Sequence, residues 1–168
     1  MKAARLAVAL GLLAALSACG LRPIYAGGSQ GVVAQGLAAV EVSPIEGREG
    51  WLVRNALNDR LGQAGVNVTP RYRLDVLLDD QLEGLGLLTD DTIGRERFTL
   101  RARYQLTDLD SGAILVDATA GSDAGIDVVG SEYATIAAER SALERLSGIV
   151  ADKIVADLAA YAREAPAP

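Results

Sequence analysis

The segment from Arg95 to Thr107 alternates strictly between two kinds of side chain. Arginine, threonine and glutamine occupy every second position, and from the fourth residue onward the positions between them hold Phe98, Leu100, Ala102, Tyr104 and Leu106. A period of two is typical of a strand with one face on the core and the other on solvent or a partner. A turn, 108–112, and another alternating segment, 113–120, follow directly. The pattern therefore predicts an antiparallel hairpin whose apolar face requires a covering layer.

The rest of the chain supplies two more strands and two helices. Residues 37–45 carry Val40, Val42 and Ile45 in an extended pattern. Residues 72–82 have one apolar side, formed by Tyr72, Leu74, Val76, Leu78 and Leu82. In residues 50–64 and 131–161, apolar side chains recur three and four positions apart, which is typical of amphipathic helices. The predicted fold class is α+β. We expect a two-layer sandwich in which two helices cover one face of a four-stranded mixed or antiparallel sheet, in the order β-α-β-β-β-α.

The N-terminus has the features of an export signal. Two positive charges, Lys2 and Arg5, precede the apolar run Leu6–Leu16, which is too short to span a bilayer but fits a signal peptide. Leu16-Ser17-Ala18-Cys19 resembles the lipobox of bacterial lipoproteins, in which the cysteine becomes the first mature residue and carries a diacylglycerol and an N-acyl chain. Cys19 is the only cysteine in the chain. The alternative is an ordinary secreted protein with a stray thiol.

These features predict the domain organisation. Residues 1–18 would be the signal peptide, 19–36 a lipidated N-terminal tether rich in glycine, serine and glutamine, 37–162 a single α+β domain, and 163–168 a disordered tail. By analogy with lipoprotein sorting, Gly20 in place of aspartate after the lipidated cysteine favours the outer membrane. We therefore expect a protein lipid-anchored to the periplasmic side of the outer membrane.

Composition excludes several classes of function. The chain has no histidine, so it contains neither a Ser-His-Asp or Cys-His catalytic set nor a histidine-bound zinc or haem. A single cysteine forms no internal disulfide. Loss of Lys2 and Arg5 from the 16 basic residues leaves 14 against 22 acidic ones, a balance that disfavours nucleic-acid binding. We predict no enzyme, no metal site and no cofactor, and we interpret the acid pairs Asp90–Asp91 and Asp108–Asp110 as solvated or turn-capping groups.

Four arginines stand out against this acidic background. Arg95, Arg97, Arg101 and Arg103 share one parity in the predicted strand and therefore project from one face. Same-side neighbours in a strand lie about 6.8 Å apart, so the row is long enough for an extended anionic ligand. Guanidinium groups hold phosphates and carboxylates in bidentate fashion. The row is the candidate site for a ligand that carries phosphates or carboxylates.

Internal ion pairing is the other explanation of this row. Asp75 and Asp79 on one neighbouring strand, and Asp117 on the other, have the parity to face the same side. Cross-strand ion pairs would then account for the arginines without any ligand. Both explanations stay open at this stage, and each can hold for different arginines.

Several short segments resemble one family of envelope lipoproteins. They are Cys19-Gly20-Leu21-Arg22-Pro23-Ile24-Tyr25, Arg54-Asn55-Ala56-Leu57, Tyr72-Arg73-Leu74, Arg97–Leu106 with Asp108 and Gly112, and Tyr133-Ala134 with Glu139-Arg140. In this order the chain resembles the LptE family, lipopolysaccharide-assembly outer-membrane lipoproteins once called rare lipoprotein B, in its alphaproteobacterial form.

The resemblance implies a non-enzymatic subunit of the lipopolysaccharide translocon. In that family a four-stranded sheet packed by two helices plugs the large β-barrel LptD, assists its assembly and binds lipopolysaccharide. The arginine row would then contact lipid A phosphates or acidic core sugars. The alternative is a free-standing, periplasm-facing lipoprotein that binds an anionic envelope ligand without a barrel partner.

Overall fold

The computed structural model describes residues 31–62, 68–87 and 93–164. Within these residues the chain forms three helices and four strands. In chain order they are α1 (Val32–Ala38), β1 (Val40–Val42), α2 (Gly47–Leu61), β2 (Tyr72–Leu87), β3 (Ile93–Asp108), β4 (Ile114–Asp127) and α3 (Glu132–Glu164).

The four strands form one mixed sheet in the order β1-β2-β3-β4. Strand β1 pairs in parallel with the start of β2, and the other neighbours are antiparallel. The turn at 109–113 joins β3 to β4, as the Asp108–Gly112 sequence predicts. The predicted α+β class and four-stranded sheet are confirmed.

One face of the sheet carries the hydrophobic core. The inner-face residues of β3 from Phe98 to Leu106 are all buried, and they join buried side chains of α2 and α3 in a single cluster. Full burial of one leucine, such as Leu100 or Leu57, stabilises the fold by about 1.5–3 kcal/mol. Tyr104 is fully buried, and its hydroxyl donates a hydrogen bond to Asp157 on α3 at 2.6 Å.

The two long helices begin and end at residues suited to those positions. Helix α2 ends at Leu61 because Gly62 adopts a left-handed conformation, with φ 75°, which glycine reaches without strain. Helix α3 follows Ser131, whose carbonyl accepts hydrogen bonds from the amides of Ala134 and Thr135. Arg60 of α2 forms an ion pair with Asp152, which joins the two helices at the surface.

The beginning of the domain differs from the prediction. Helix α1 occupies residues 32–38, which we expected to be the end of the tether and the start of a strand. The strand of the 37–45 segment is only Val40–Val42. Packing rather than a local sequence pattern accounts for helix α1. The helix lies against α3 at Gly36 and Ala162, and it buries Leu37.

The other strands and α3 extend further than predicted. Strand β2 continues to Leu87 and β4 to Asp127, although the predicted strands end at residues 82 and 120. Pairing with β3 supplies the hydrogen bonds that hold these glycine-containing ends in the sheet. Helix α3 runs to Glu164, so the expected disordered tail from residue 163 is wrong at its first two positions.

The predicted signal peptide, Cys19 and most of the tether lie outside the described residues, as do positions 165–168. The division into signal, tether, domain and tail therefore stays a prediction. Among the described helices, none combines the length and the apolar character that crossing a membrane requires.

Candidate anion-binding face

The four arginines of β3 project from the outer face of the sheet, opposite the helices. Arg95, Arg97, Arg101 and Arg103 are all exposed, and the alternate residues Phe98, Leu100 and Ala102 face the core. This orientation follows from the alternation of the sequence. The structure then separates the four side chains into two pairs with different surroundings.

The outermost pair is bound to carboxylates of β4. Arg95 donates from Nε to Asp127 at 3.0 Å. Arg103 makes two hydrogen bonds to Asp117, from Nε at 3.2 Å and from one terminal nitrogen at 3.1 Å. For these two arginines, internal ion pairing is the correct explanation.

The central pair has no such partner. Within the described residues, neither Arg97 nor Arg101 has a carboxylate oxygen within the 4.0 Å that defines an ion pair. Both guanidinium groups keep their full set of donors for solvent or a ligand. Their Cα atoms are four residues apart along the strand, a distance of about 14 Å.

On the β4 side, the register of the sheet accounts for part of this difference, although on β2 Glu83 lies opposite Arg97 and Asp79 opposite Arg101. On β4, Gly125 lies opposite Arg97 and Gly121 lies opposite Arg101, so neither arginine faces a carboxylate on that side. Asp127 lies opposite Arg95. Spacing of aspartate and glycine along β4 therefore decides which arginines are neutralised by contact on that side.

The central arginines line a shallow cleft of about 370 Å³ on the outer face. Its lining consists of Arg97, Thr99, Arg101, Gly121, Ser122 and Asp123. Two guanidinium groups with a threonine between them can donate several hydrogen bonds to a phosphate or sugar acid. Among the described residues, Asp123 is the one acid in this lining, and it limits how far an anion can extend toward it.

Electrostatics separate the paired from the unpaired arginines. Hydrogen bonds from Arg103, and then from Gln105, lower the pKa of Asp117 below its ordinary value. The same contact with Asp117 raises the pKa of Arg103. The Arg103–Asp117 pair is therefore charged throughout the physiological range and contributes little net positive potential. Arg97 and Arg101 are the two members of the row that form no ion pair with the described residues.

Two of the predicted ion-pair partners do not bind the row. Asp75 accepts a hydrogen bond from Ser43 at 2.6 Å and pairs with Arg73. The hydrogen bond from Ser43 is the main reason that the pKa of Asp75 is lowered. Asp79 lies opposite Arg101 on β2 but is not among the ion pairs of the described residues. Of the three expected partners, Asp117 alone is confirmed.

Asp127 was missed as a partner because the prediction ended β4 at Ala120. The signal was present, since Gly121, Asp123, Gly125 and Asp127 share the parity of an outward face. Two glycines in seven residues favoured a loop instead.

The acid pairs show no arrangement for catalysis in the described residues. Asp108 accepts hydrogen bonds from the amides of Asp110 and Ser111 and from the Ser111 hydroxyl, as a turn-capping residue does. The contacts from Ser111 lower the pKa of Asp108. Asp90 and Asp91 lie outside the described residues.

Comparison with known proteins matches a family model to most of the domain. The model of the LptE family, described as lipopolysaccharide-assembly, matches residues 37–158. No curated protein is similar enough to match the chain.

Solved structures share this fold. A candidate lipoprotein from Caulobacter crescentus is 27% identical, with a TM-score of 0.67, and the match covers 79% of this chain and 97% of that one. Rare lipoprotein B from Shewanella oneidensis is 13% identical, with a TM-score of 0.54 and coverage of 74% and 95%. An uncharacterised lipoprotein B from Nitrosomonas europaea is 12% identical, with a TM-score of 0.56 and coverage of 75% and 88%. At these identities the last two show the fold alone.

Proposed function

The chain belongs to the LptE family of lipopolysaccharide-assembly proteins, and from this we propose that it is a non-enzymatic, lipid-anchored subunit of the lipopolysaccharide translocon. In this role it plugs and helps to assemble the LptD β-barrel in the outer membrane. It also binds lipopolysaccharide during insertion into the outer leaflet. The match over residues 37–158 is the observation that supports assignment to this machinery.

The lipopolysaccharide contact is proposed at Arg97 and Arg101. Lipopolysaccharide carries phosphates and acidic sugars, and guanidinium groups bind such anions through paired hydrogen bonds. The support is that these two arginines line a cleft and have no ion-pair partner among the described residues. Arg95 and Arg103, also among the predicted site residues, are already occupied by Asp127 and Asp117 and are assigned a structural role.

Binding of purified lipopolysaccharide tests this assignment with matched double variants. We expect Arg97→Ser with Arg101→Ser to weaken binding by roughly 100-fold or more, because each arginine loses a charged hydrogen bond that contributes about 1.5–3 kcal/mol. Arg95→Ser with Arg103→Ser removes the same net charge from the same strand and should weaken binding much less. Equal losses in both double variants would indicate unspecific attraction. No loss in a folded Arg97/Arg101 variant would contradict the proposed site.

Attachment to the membrane is proposed through Cys19. Each buried acyl methylene contributes about 0.8 kcal/mol, so several acyl chains on one residue hold a protein firmly on a bilayer. Cys19→Ala should move the exported protein from the membrane to the soluble periplasmic fraction. Continued attachment of this variant without the barrel partner would contradict the anchor.

Affinity purification of the detergent-extracted protein tests the barrel partnership. We expect a large outer-membrane β-barrel to co-purify in stoichiometric amount. Recovery of the protein alone, still bound to lipopolysaccharide, would instead support a free-standing lipoprotein that binds an anionic envelope ligand.

A further inference from the structure

The two glycines opposite the central arginines are not equivalent. A Cβ atom added at Gly121 would lie 3.2 Å from Cγ of Arg101 and 3.2 Å from the carbonyl oxygen of Leu100. A Cβ atom added at Gly125 would meet no atom within 4 Å. The aliphatic stem of Arg101 therefore lies against the Cα atom of Gly121, in space that any other residue would fill. The space beside Gly125 is open.

We propose that Gly121 is a positioning residue that fixes the guanidinium of Arg101 over the cleft. This inference rests on the proposed binding of lipopolysaccharide at Arg97 and Arg101. A glycine inside a strand weakens the strand and commonly marks a place where another group must approach the backbone closely. Here the approaching group is the stem of Arg101.

A second contact fixes the backbone at the same point. The ammonium group of Lys153, on α3, donates a hydrogen bond to the carbonyl oxygen of Gly121. Strand β4 is thereby tied to the helix layer at the residue on which Arg101 rests. A long side chain that is already ordered loses less conformational entropy when it binds a ligand. Gly121 would thus increase affinity by ordering the side chain of Arg101.

A methyl group at this position has a specific expected effect. A contact of 3.2 Å is tighter than ordinary van der Waals packing, and the carbonyl of Leu100 belongs to the backbone of β3. The stem of Arg101 is therefore the part that moves, and its guanidinium leaves the cleft. Gly125→Ala is the matched control, because it adds the same methyl group opposite Arg97 in open space.

Calorimetric titration with purified lipopolysaccharide tests the proposal. We expect Gly121→Ala to weaken binding by about fivefold, part of the roughly tenfold or larger loss that Arg101→Ala should cause by removing charged hydrogen bonds. Gly125→Ala should change affinity by less than about twofold. In a double-mutant cycle, Gly121→Ala should have no further effect when Arg101→Ala is already present, since the positioned group is gone.

The outcomes separate this inference from the proposed function. If Arg101→Ala leaves affinity unchanged, the site at Arg101 is wrong and the positioning role falls with it. If Arg101→Ala weakens binding but Gly121→Ala does not, or if the two effects simply add, only the positioning role is overturned. Should Gly121→Ala fail to fold, NMR of the unsubstituted protein decides. Cross-relaxation between the Gly121 α-protons and the Arg101 γ-protons supports the proposal, and its absence overturns it.

Discussion

On the inner face of β3, Leu100, Ala102 and Tyr104 have no exposed surface, whereas on the outer face Arg97 and Arg101 are open to solvent. The inner residues contact α2, α3 and the neighbouring strands in one apolar cluster. On the outer face, Arg95 and Arg103 form ion pairs with residues of β4. Arg97 and Arg101 form no ion pair with the described residues.

Substitutions at adjacent positions of β3 should therefore differ in their effect on stability, because adjacent side chains lie on opposite faces. Apolar packing on the inner face is the main source of stability, since burial of apolar area dominates folding. Exposed ion pairs on the outer face contribute little to stability and are screened by salt. The stability of the fold therefore tolerates changes of charge on the outer face but not on the inner face.

The largest expected effect comes from removing apolar volume on the inner face. Leu100→Ala should lower the free energy of unfolding by about 2–5 kcal/mol, because the methylene groups leave a cavity between the sheet and the helices. Leu77 on the outer face of β2 is 73% exposed and provides a control with the same chemical change. Leu77→Ala should stay within about 0.5 kcal/mol of the parent protein. Denaturant unfolding measures both, and similar losses would contradict the assignment of the two faces.

Alternation in the sequence was sufficient to predict which face of β3 is apolar. Phe98 to Leu106 have the period of a half-buried strand, and local periodicity does not depend on the partner strands. The ends of β2 and β4 could not be predicted in this way. These ends contain glycines, such as Gly84 and Gly125. They are held in the sheet by pairing with β3, and no local sequence pattern indicates this pairing.

The candidate site shows the same limit more sharply. The parity of the four arginines followed from spacing alone, but their division into pairs depends on which side chains of the neighbouring strands lie within reach of each one. A shift of register by two residues would place Gly125 opposite Arg95 instead of Asp127. Local sequence does not determine that register. It therefore predicted the arginine row, but not that Arg97 and Arg101 are the two members without an ion pair among the described residues.

Tyr104 carries a polar hydroxyl on the inner face and gives the next largest effect. Burial, and then its hydrogen bond to Asp157, raise the pKa of the Tyr104 hydroxyl above its ordinary value of 10.0. The neutral phenol is therefore favoured in the folded state. Its contribution to stability is fully present below pH 10 and is lost as the pH rises above that value, by up to about 1.4 kcal/mol per pH unit.

Replacement of this residue should flatten the alkaline decline. Tyr104→Phe should cost about 1 kcal/mol at neutral pH, through the lost hydrogen bond, and show a shallower loss of stability above about pH 10. Tyr133 is 87% exposed, and Tyr133→Phe should leave the decline unchanged. Denaturant unfolding across this pH range is the measurement. Parallel curves for the parent and Tyr104→Phe would show that another group causes the alkaline loss.

The smallest expected effect comes from giving a free arginine the partner that its paired neighbour has. Gly125 lies opposite Arg97 as Asp127 lies opposite Arg95, and the space beside Gly125 is open. In Gly125→Asp the new carboxylate should therefore bind Arg97 and reduce lipopolysaccharide affinity by about 1.4- to 5-fold, the range of an exposed ion pair of about 0.2–1 kcal/mol. The difference should shrink at high salt. Gly125→Asn has the same shape without the charge and should retain most of the affinity. If Gly125→Asp lowers affinity equally when Arg97→Ser is present, the added charge acts by general repulsion, and ion pairing is not what separates the two pairs of arginines.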